Sequence, residues 1–214
     1  MPEPQPSVFL LDDQPSVLRA LARMLQASGL AVRCWTSAAE FLATHDPDAP
    51  GCLVTELWMP EMSGLELQEA LLERGRARAI VFITGQSDVT ATVQAMKAGA
   101  VSILPKPVHR AELVAAVQEA ILRDAEGRVR HRERQDLVRR LASLTPRERQ
   151  VLGLVATGML NKQIAAELGA AEKTIKVHRG RIMEKMQVRT ATALVGLLSR
   201  AERRGDFGRG SQLP

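Results

Sequence analysis

Short apolar runs alternate with amphipathic segments over the first 123 residues. Apolar residues recur at helical spacing between the runs, as in Val17, Leu21 and Leu25. The runs predict five β-strands, at 8–11, 31–35, 52–55, 79–83 and 101–104. The segments after them predict helices, at 16–28, 37–42, 64–74, 87–97 and from about 110 onward. This alternation predicts an α/β fold, a doubly wound five-stranded parallel sheet covered by helices on both faces.

The pattern changes after residue 123. Residues 124–143 mix arginine and glutamate with occasional apolar residues, and Gly127 interrupts the helical pattern. This composition predicts a solvated helical linker, or one strand of a coiled-coil pair.

An all-α unit of four helices is predicted for 144–200. The start of the first helix is indicated by Thr145 as N-cap, Pro146 at the first helical position and Glu148 three residues after the cap. The helices are predicted at 146–157, 162–168, 172–186 and 190–199, with Asn161 capping the second. The chain is thus divided into a first domain (1–123), a linker (124–143), a second domain (144–200) and a disordered tail (201–214).

Charge separates the two halves. Residues 1–123 carry 10 Lys/Arg and 14 Asp/Glu, a net of −4, whereas residues 124–214 carry 19 and 10, a net of +9. An acidic half followed by a basic half indicates that the second half binds a polyanion.

The two cysteines, Cys34 and Cys52, cannot form a disulfide framework and show no metal-ligand spacing. No apolar run reaches membrane-spanning length, and residues 1–6 lack the pattern of a secretory signal. We therefore expect a cytoplasmic protein without membrane contact.

Polar side chains occur where the predicted strands end. They are Asp12 and Asp13 after the first strand, Glu56 after the third, Thr84 after the fourth and Lys106 after the fifth. Because the carboxyl ends of parallel strands share one edge of a sheet, these residues should converge. Three carboxylates suit Mg²⁺, and a hydroxyl and an ammonium can hold phosphoryl oxygens. The sequence predicts a possible Mg²⁺ site formed by Asp12, Asp13 and Glu56.

The second domain is predicted to contain a helix-turn-helix, because two of its helices are joined through Gly169. On the helix at 172–186, Ile175, Ile182 and Met186 form a narrow apolar stripe. The opposite face carries Lys173, Lys176, Val177 and Gly180.

This face predicts a contact with the major groove of duplex DNA. Lysine can donate to guanine acceptors, and valine can pack on a thymine methyl group. Asn161 and Lys162 lie at a helix start, where they should contact phosphates.

Residues 7–122 resemble a response-regulator receiver of the FixJ kind. The resemblance rests on LDD at 11–13, MPEMSG at 59–64, ITG at 83–85, MKAGA at 96–100 and KP at 106–107. It implies that Asp12 and Asp13 bind Mg²⁺, that Thr84 is the switch hydroxyl and that Lys106 pairs with a phosphoryl group. It also implies a cis bond before Pro107.

Three positions depart from that family. Glu56 stands where the family has the aspartate that accepts the phosphoryl group, and its carboxylate lies one methylene further out. In-line phosphoryl transfer tolerates little displacement of the accepting carboxylate. We therefore expect that Glu56 either no longer accepts a phosphoryl group or imitates a phosphoryl oxygen. Ile103 replaces the aromatic residue that moves with the switch threonine, and Trp58 is expected near the mouth of the pocket.

Residues 144–200 resemble the LuxR/GerE type of output domain. The match rests on LTPRER at 144–149, NKQIA at 161–165 and TIKVH at 174–178. It implies that the third helix reads bases and that the fourth helix pairs two copies. Lys176 and Val177 match the base-reading positions, and Thr174 and His178 on the same helix are also assigned to DNA binding. Dimerisation is assigned to Leu194, Leu197 and Leu198.

Two departures accompany this second resemblance. Gly180 stands where some members have a lysine, which removes a contact. Ala171 replaces the usual serine N-cap, a loss of roughly 1 kcal/mol in helix-start stability.

The expected function is a dimeric, DNA-binding transcription regulator of the two-component type, not an enzyme. It is expected to be independent of phosphorylation or constitutively biased, with an ordinary phosphorylation-gated regulator as the alternative. An Mg²⁺-dependent phosphatase and an interaction module with a vestigial helix-turn-helix are further alternatives. The expected partners are duplex DNA, a second copy, and a sensor histidine kinase or RNA polymerase.

Overall fold

A computed structural model describes residues 5–74, 78–85 and 88–203 of the 214-residue chain. The chain divides into two compact units, and the division falls between Val129 and Arg130. Each unit is described separately below.

The first unit alternates strands with helices. Its elements are β1 (Ser7–Leu11), α1 (Pro15–Gln26), β2 (Ala31–Trp35), α2 (Ala38–Thr44), β3 (Gly51–Glu56), α3 (Gly64–Glu73), β4 (Ile80–Thr84), α4 (Val89–Lys97), β5 (Ser102–Pro105) and α5 (Arg110–Ala142), which continues past the division. Ser87, predicted to start α4, lies outside the described residues, and the N-cap of this helix is Asp88.

All five strands are parallel, in the order β2-β1-β3-β4-β5. Successive residues of β1 face opposite sides, so Leu10 packs against helices α1 and α5 and Phe9 packs against the helices on the other face. Every residue of β3 and β4 is buried. The predicted doubly wound sheet is confirmed.

The start of α3 lies very close to the end of β3. A Cβ atom on Gly64 would come within 2.7 Å of both the Glu56 carbonyl oxygen and the Phe82 ring. The Gly64 N–H donates to the carbonyl oxygen of Leu57, at 2.9 Å. Ser63 closes the helix start with a complete capping box that includes Glu66. These contacts fix the loop that follows Glu56.

Helix α5 is a single helix of 33 residues. The predicted interruption at Gly127 is therefore wrong. One glycine inside a helix costs only about 1 kcal/mol relative to alanine, which tertiary contacts readily offset. Two such contacts lie nearby, because the carboxylate of Asp124 accepts from Gly51 N at 3.0 Å and Arg128 donates to the carbonyl oxygen of Asp48.

Up to Arg203, where the described residues end, the second unit contains four helices after α5: α6 (Pro146–Ala156), α7 (Asn161–Glu167), α8 (Glu172–Lys185) and α9 (Ala191–Arg203). They surround one apolar core that includes Val151, Ile164 and Ile175. The predicted capping box of Thr145 and Glu148 is present at the start of α6. The N-cap of α7 is Leu160, so Asn161 is the first helical residue and not the cap that was predicted.

The last helix differs from prediction in two ways. It continues to Arg203, and Ala201 is buried in the core, so the predicted disordered tail is wrong for residues 201–203. Residues 204–214 lie outside the described part of the chain. Leu194 and Leu198 are 0% and 2% exposed and belong to the same core. They cannot provide the predicted dimer contact, because α9 needs them to close its own unit.

Candidate functional site

The strand ends of the first unit bring three charged groups together. The ammonium of Lys106 lies 2.6 Å from Glu56 Oε2 and 3.0 Å from Asp12 Oδ2. Asp12 and Glu56 are buried, whereas Lys106 keeps a quarter of its side chain exposed. The predicted convergence therefore holds for Asp12, Glu56 and Lys106.

Glu56 is also held by the backbone that follows it. Its Oε1 accepts from the N–H groups of Leu57 at 2.9 Å and Trp58 at 3.3 Å. Both carboxylate oxygens therefore have donors, one of them charged. A buried carboxylate is stable only with such partners.

Lys106 is fixed as a cation by its surroundings. Burial lowers its pKa, but the hydrogen bonds that the ammonium donates to Glu56 and Asp12 outweigh burial, and the net pKa is raised. Its backbone N–H donates to the carbonyl oxygen of Thr84 at 2.8 Å, and the bond to Pro107 is cis, as the resemblance implied.

The remaining predicted pocket residues differ in exposure and packing. Thr84 is buried at the end of β4, and Asp13 is partly exposed. Ile103 packs against the apolar cluster on the face of the sheet that contains Phe9. Trp58, expected near the mouth, is 41% exposed.

The predicted metal site is not assembled in this arrangement. Among the described residues, no group of three His, Cys, Asp or Glu side chains is placed so that it could hold a metal ion. Carboxylates suit Mg²⁺ chemically, but each oxygen of Glu56 already has an N–H donor, and Asp12 accepts from Lys106 and from Gln14 N. Mg²⁺ binding by Asp12, Asp13 and Glu56 therefore stays a prediction.

The second unit presents a polar face on α8. Ile175 and Ile182 are fully buried, and Met186 follows them into the core, as predicted. The opposite side is exposed and carries Lys173, Thr174, Lys176, Val177 and Gly180. The N-cap of α8 is Ala171, which provides no side-chain hydrogen bond, as the sequence indicated.

Asn161 and His178 differ from the other predicted interface residues in their accessibility. Both side chains are partly buried, and Asn161 Oδ1 and His178 Nδ1 are buried atoms without a hydrogen-bond partner among the described residues. Unpaired buried polar atoms are uncommon in folded proteins. By contrast, Lys162 at the start of α7 is exposed.

Two arginines that were not predicted from the sequence donate hydrogen bonds to backbone carbonyls between the helices of this unit. Arg147 donates to the carbonyl oxygen of Leu168 at 2.8 Å, and Arg179 donates to that of Met159 at 3.3 Å. Arg181 is exposed four residues after Val177 and therefore lies on the same side of α8. Helical spacing could have identified Arg181, whereas the partners of Arg147 and Arg179 depend on tertiary contacts.

Leu197 is the one predicted dimerisation residue that is not fully buried. It packs against the core and borders a cavity of about 470 Å³ together with Arg134 and Arg200. No described helix is both long enough and apolar enough to cross a membrane.

Comparisons with known proteins cover both units. Residues 8–118 match the response regulator receiver domain, and residues 142–198 match the bacterial regulatory proteins of the luxR family. The chain is 43% identical to nodulation protein W of Bradyrhizobium diazoefficiens over 188 residues, which cover 88% of this chain and 83% of that protein. It is also 43% identical to the transcriptional regulatory protein FixJ of Azorhizobium caulinodans, over 91% of this chain and 92% of that protein.

A solved structure shows the same similarity. The response regulator StyR matches with a TM-score of 0.79 and 44% identity, over 92% of this chain and 99% of that one. These matches favour a regulator over the phosphatase alternative, because relatives such as FixJ and StyR are named as regulators. The chain belongs to the two-component response regulators that join a receiver domain to a LuxR-type DNA-binding domain and regulate transcription.

Proposed function

We propose that this regulator binds DNA without prior phosphorylation, because Glu56 gives its receiver a permanent, partial imitation of the phosphorylated state. The observation that supports this proposal is the 2.6 Å contact between Glu56 Oε2 and the Lys106 ammonium. In the family, this lysine is the expected partner of the phosphoryl group. The extra methylene of glutamate carries the carboxylate to it.

The imitation is incomplete. A phosphoryl group brings about two negative charges and three acceptor oxygens, whereas Glu56 has one charge and two oxygens, one of which accepts from the backbone N–H of Leu57 and Trp58. Ile103 also lacks the aromatic ring that would move with Thr84. The receiver is therefore biased towards its active arrangement by a small free energy.

The proposed output is sequence-specific binding of a dimer to a roughly two-fold operator in the cytosol. Lys176 and Val177 read base edges, with Thr174 beside them. Gly180 lacks the contact that a lysine would make there, and this loosens the specificity. Lys162 contacts a phosphate. Lys173, Asn161 and His178 complete the proposed interface, and a sensor kinase or RNA polymerase docks on the regulator.

The decisive experiment compares the full wild-type chain with two variants. Wild-type protein should bind operator DNA without a phosphodonor. Glu56→Gln, which removes the charge, should weaken that binding about five- to tenfold, the lower end of the usual couplings between sites. Glu56→Asp should take up phosphate from acetyl phosphate with Mg²⁺ and become donor-dependent, as read by intact mass and gel shift.

An exposed carboxylate provides the control. Glu69→Gln should change neither phosphate uptake nor binding, because this side chain lies on the surface of α3. If wild-type protein takes up phosphate at Glu56 and binds DNA only afterwards, it is an ordinary phosphorylation-gated regulator. If no variant binds any genomic fragment, the helix-turn-helix is vestigial and the chain is an interaction module.

A further inference from the structure

The middle of α5 has few contacts that keep it helical. From residue 125 to residue 136, all of which the structure describes, no side chain is buried. Gly127 lies in this stretch, and glycine is among the weakest helix formers. A Cβ atom at this position would lie in open space, so packing does not require the glycine. A helical segment of about 12 residues is only marginally stable on its own, so this part of α5 needs support from outside the helix.

Two side chains of α5, one on each side of Gly127, contact the same loop of the first unit. The Asp124 carboxylate accepts a hydrogen bond from Gly51 N at 3.0 Å, and the Arg128 guanidinium donates to the carbonyl oxygen of Asp48. Residues four apart lie one helical turn from each other. The two contacts therefore hold both ends of the turn that contains Gly127.

The loop that receives these contacts, residues 46–51, is itself fixed to the sheet. Arg78 is buried beneath it, and the Arg78 guanidinium lies 4.4 Å from the centroid of the Phe9 ring. At 3.1–3.4 Å it donates to four carbonyl oxygens of the loop, those of Asp46, Pro47, Ala49 and Gly51. The loop is therefore a firm point of attachment for Asp124 and Arg128.

Strand β3 joins this loop to the receiver pocket. It begins at Gly51, which binds Asp124, and ends at Glu56, which binds Lys106. All six residues of the strand are buried. Because a close-packed interior transmits a displacement instead of absorbing it, a shift at the Glu56 end of β3 reaches the Gly51 end.

We propose that the 46–51 loop, Asp124 and Arg128 form a clamp that keeps α5 helical through Gly127 and thereby couples the receiver pocket to the DNA-binding unit. With the clamp closed, α5 continues unbroken past the division between the units. With the clamp released, the helix frays at its weakest residue, and DNA binding no longer responds to Glu56. In this last respect the inference rests on the proposed function.

The first test measures amide hydrogen exchange at residues 127–133 of the full chain without DNA. Arg128→Ala should speed this exchange about tenfold, since it removes a hydrogen bond from a charged donor. Alanine is a better helix former than arginine, so a loss of helix propensity cannot cause the increase. Adding Gly127→Ala should slow the exchange again about fivefold, because alanine supports the helix without the clamp.

Arg123→Ala is the matched control. Arg123 is exposed on the same helix, and its ion pair is with Glu119 of α5 itself. This variant should match the wild-type exchange at residues 127–133 within about twofold. Amides of β1 and β3 should stay protected in every variant; if Arg128→Ala disturbs them, Arg128→Gln, which keeps part of the side-chain stem, takes its place. Equal exchange in the Arg123 and Arg128 variants, or no recovery with Gly127→Ala, would overturn the proposal.

The second test uses a genomic fragment that the wild-type protein retards in a gel shift. With the clamp intact, Glu56→Gln should weaken binding about five- to tenfold, whereas in the Arg128→Ala background it should change binding less than about twofold. The same five- to tenfold effect in both backgrounds would show that the clamp carries no coupling. If Glu56→Gln changes nothing in either background, the proposed function is wrong, and the exchange test still decides whether the clamp holds α5.

Discussion

The pocket lysine of the first unit is paired with carboxylates, whereas the lysines on the exposed face of α8 are not. In the first unit, Lys106 lies within 3.0 Å of two buried carboxylates. On the face of α8 in the second unit, Lys173 and Lys176 are exposed and form no ion pair with any described residue. Lys185, on the buried side of the same helix, again has a carboxylate partner, Glu148, at 2.6 Å.

The difference separates charges that hold a structure from charges that bind a ligand. A cation that is paired inside the chain contributes to folding, and its removal leaves a buried anion without a partner. An exposed cation without a partner contributes little to folding and keeps its full attraction for a phosphate or a base. The same residue type should therefore respond to mutation in stability at one site and in DNA affinity at the other.

Removal of Lys106 should have the largest effect. Lys106→Met leaves Asp12 and Glu56 close together without their cation, and we expect the first unit to lose about 3 kcal/mol of unfolding free energy. Both tryptophans, Trp35 and Trp58, belong to this unit, so urea unfolding followed by fluorescence reports on it alone.

Lys97→Met is the matched control, because Lys97 is an exposed lysine in the last turn of α4. It should change the unfolding midpoint little. Equal losses for Lys97→Met and Lys106→Met would show that the buried ion pairs do not stabilise the receiver.

The pair of Glu148 and Lys185 should make the second unit sensitive to acid. The hydrogen bond from Lys185, with that from the backbone of Thr145, lowers the pKa of Glu148 to about 2. Because the folded pKa lies below the ordinary value of 4.5, the stabilisation is complete above pH 4.5 and is lost as the pH falls towards 2.

Glu148→Gln should cost the second unit about 2 kcal/mol at pH 7 and should remove this part of its acid sensitivity. Urea unfolding followed by circular dichroism at several pH values would measure both effects. A variant that matches the wild type at pH 7, or that keeps the same loss between pH 4.5 and 2, would contradict the assignment.

The unpaired lysines should affect DNA binding alone. Lys176→Ala should cost about 1–3 kcal/mol at the operator and relax the preference at one base pair. Lys162→Ala should weaken specific and random duplexes alike and reduce the salt slope by about one. Both variants should unfold like the wild type. If the two variants lose specific and random binding equally, the division between base and phosphate contacts is wrong.

The sequence by itself determined the elements and the chemistry of the pocket. Apolar runs and helical spacing predicted all five strands and their parallel sheet, since burial on both faces demands continuous apolar strands. Strand-end placement predicted that Asp12, Glu56 and Lys106 would meet, because parallel strands share one carboxyl edge. The capping box at Thr145 was also visible, since it is a local contact.

Tertiary structure decided what depends on distant partners. Helical spacing and hydrophobicity predicted Leu194 and Leu198 as dimer contacts. Their packing shows that they belong to the core of their own unit. The sequence predicted that the helix would be interrupted at Gly127. In the structure α5 is continuous there, and Asp124 and Arg128 on either side of the glycine contact residues 48–51. Local sequence fixes spacing and propensity, whereas burial and ion pairing depend on residues such as Asp12 and Lys106, which lie 94 positions apart.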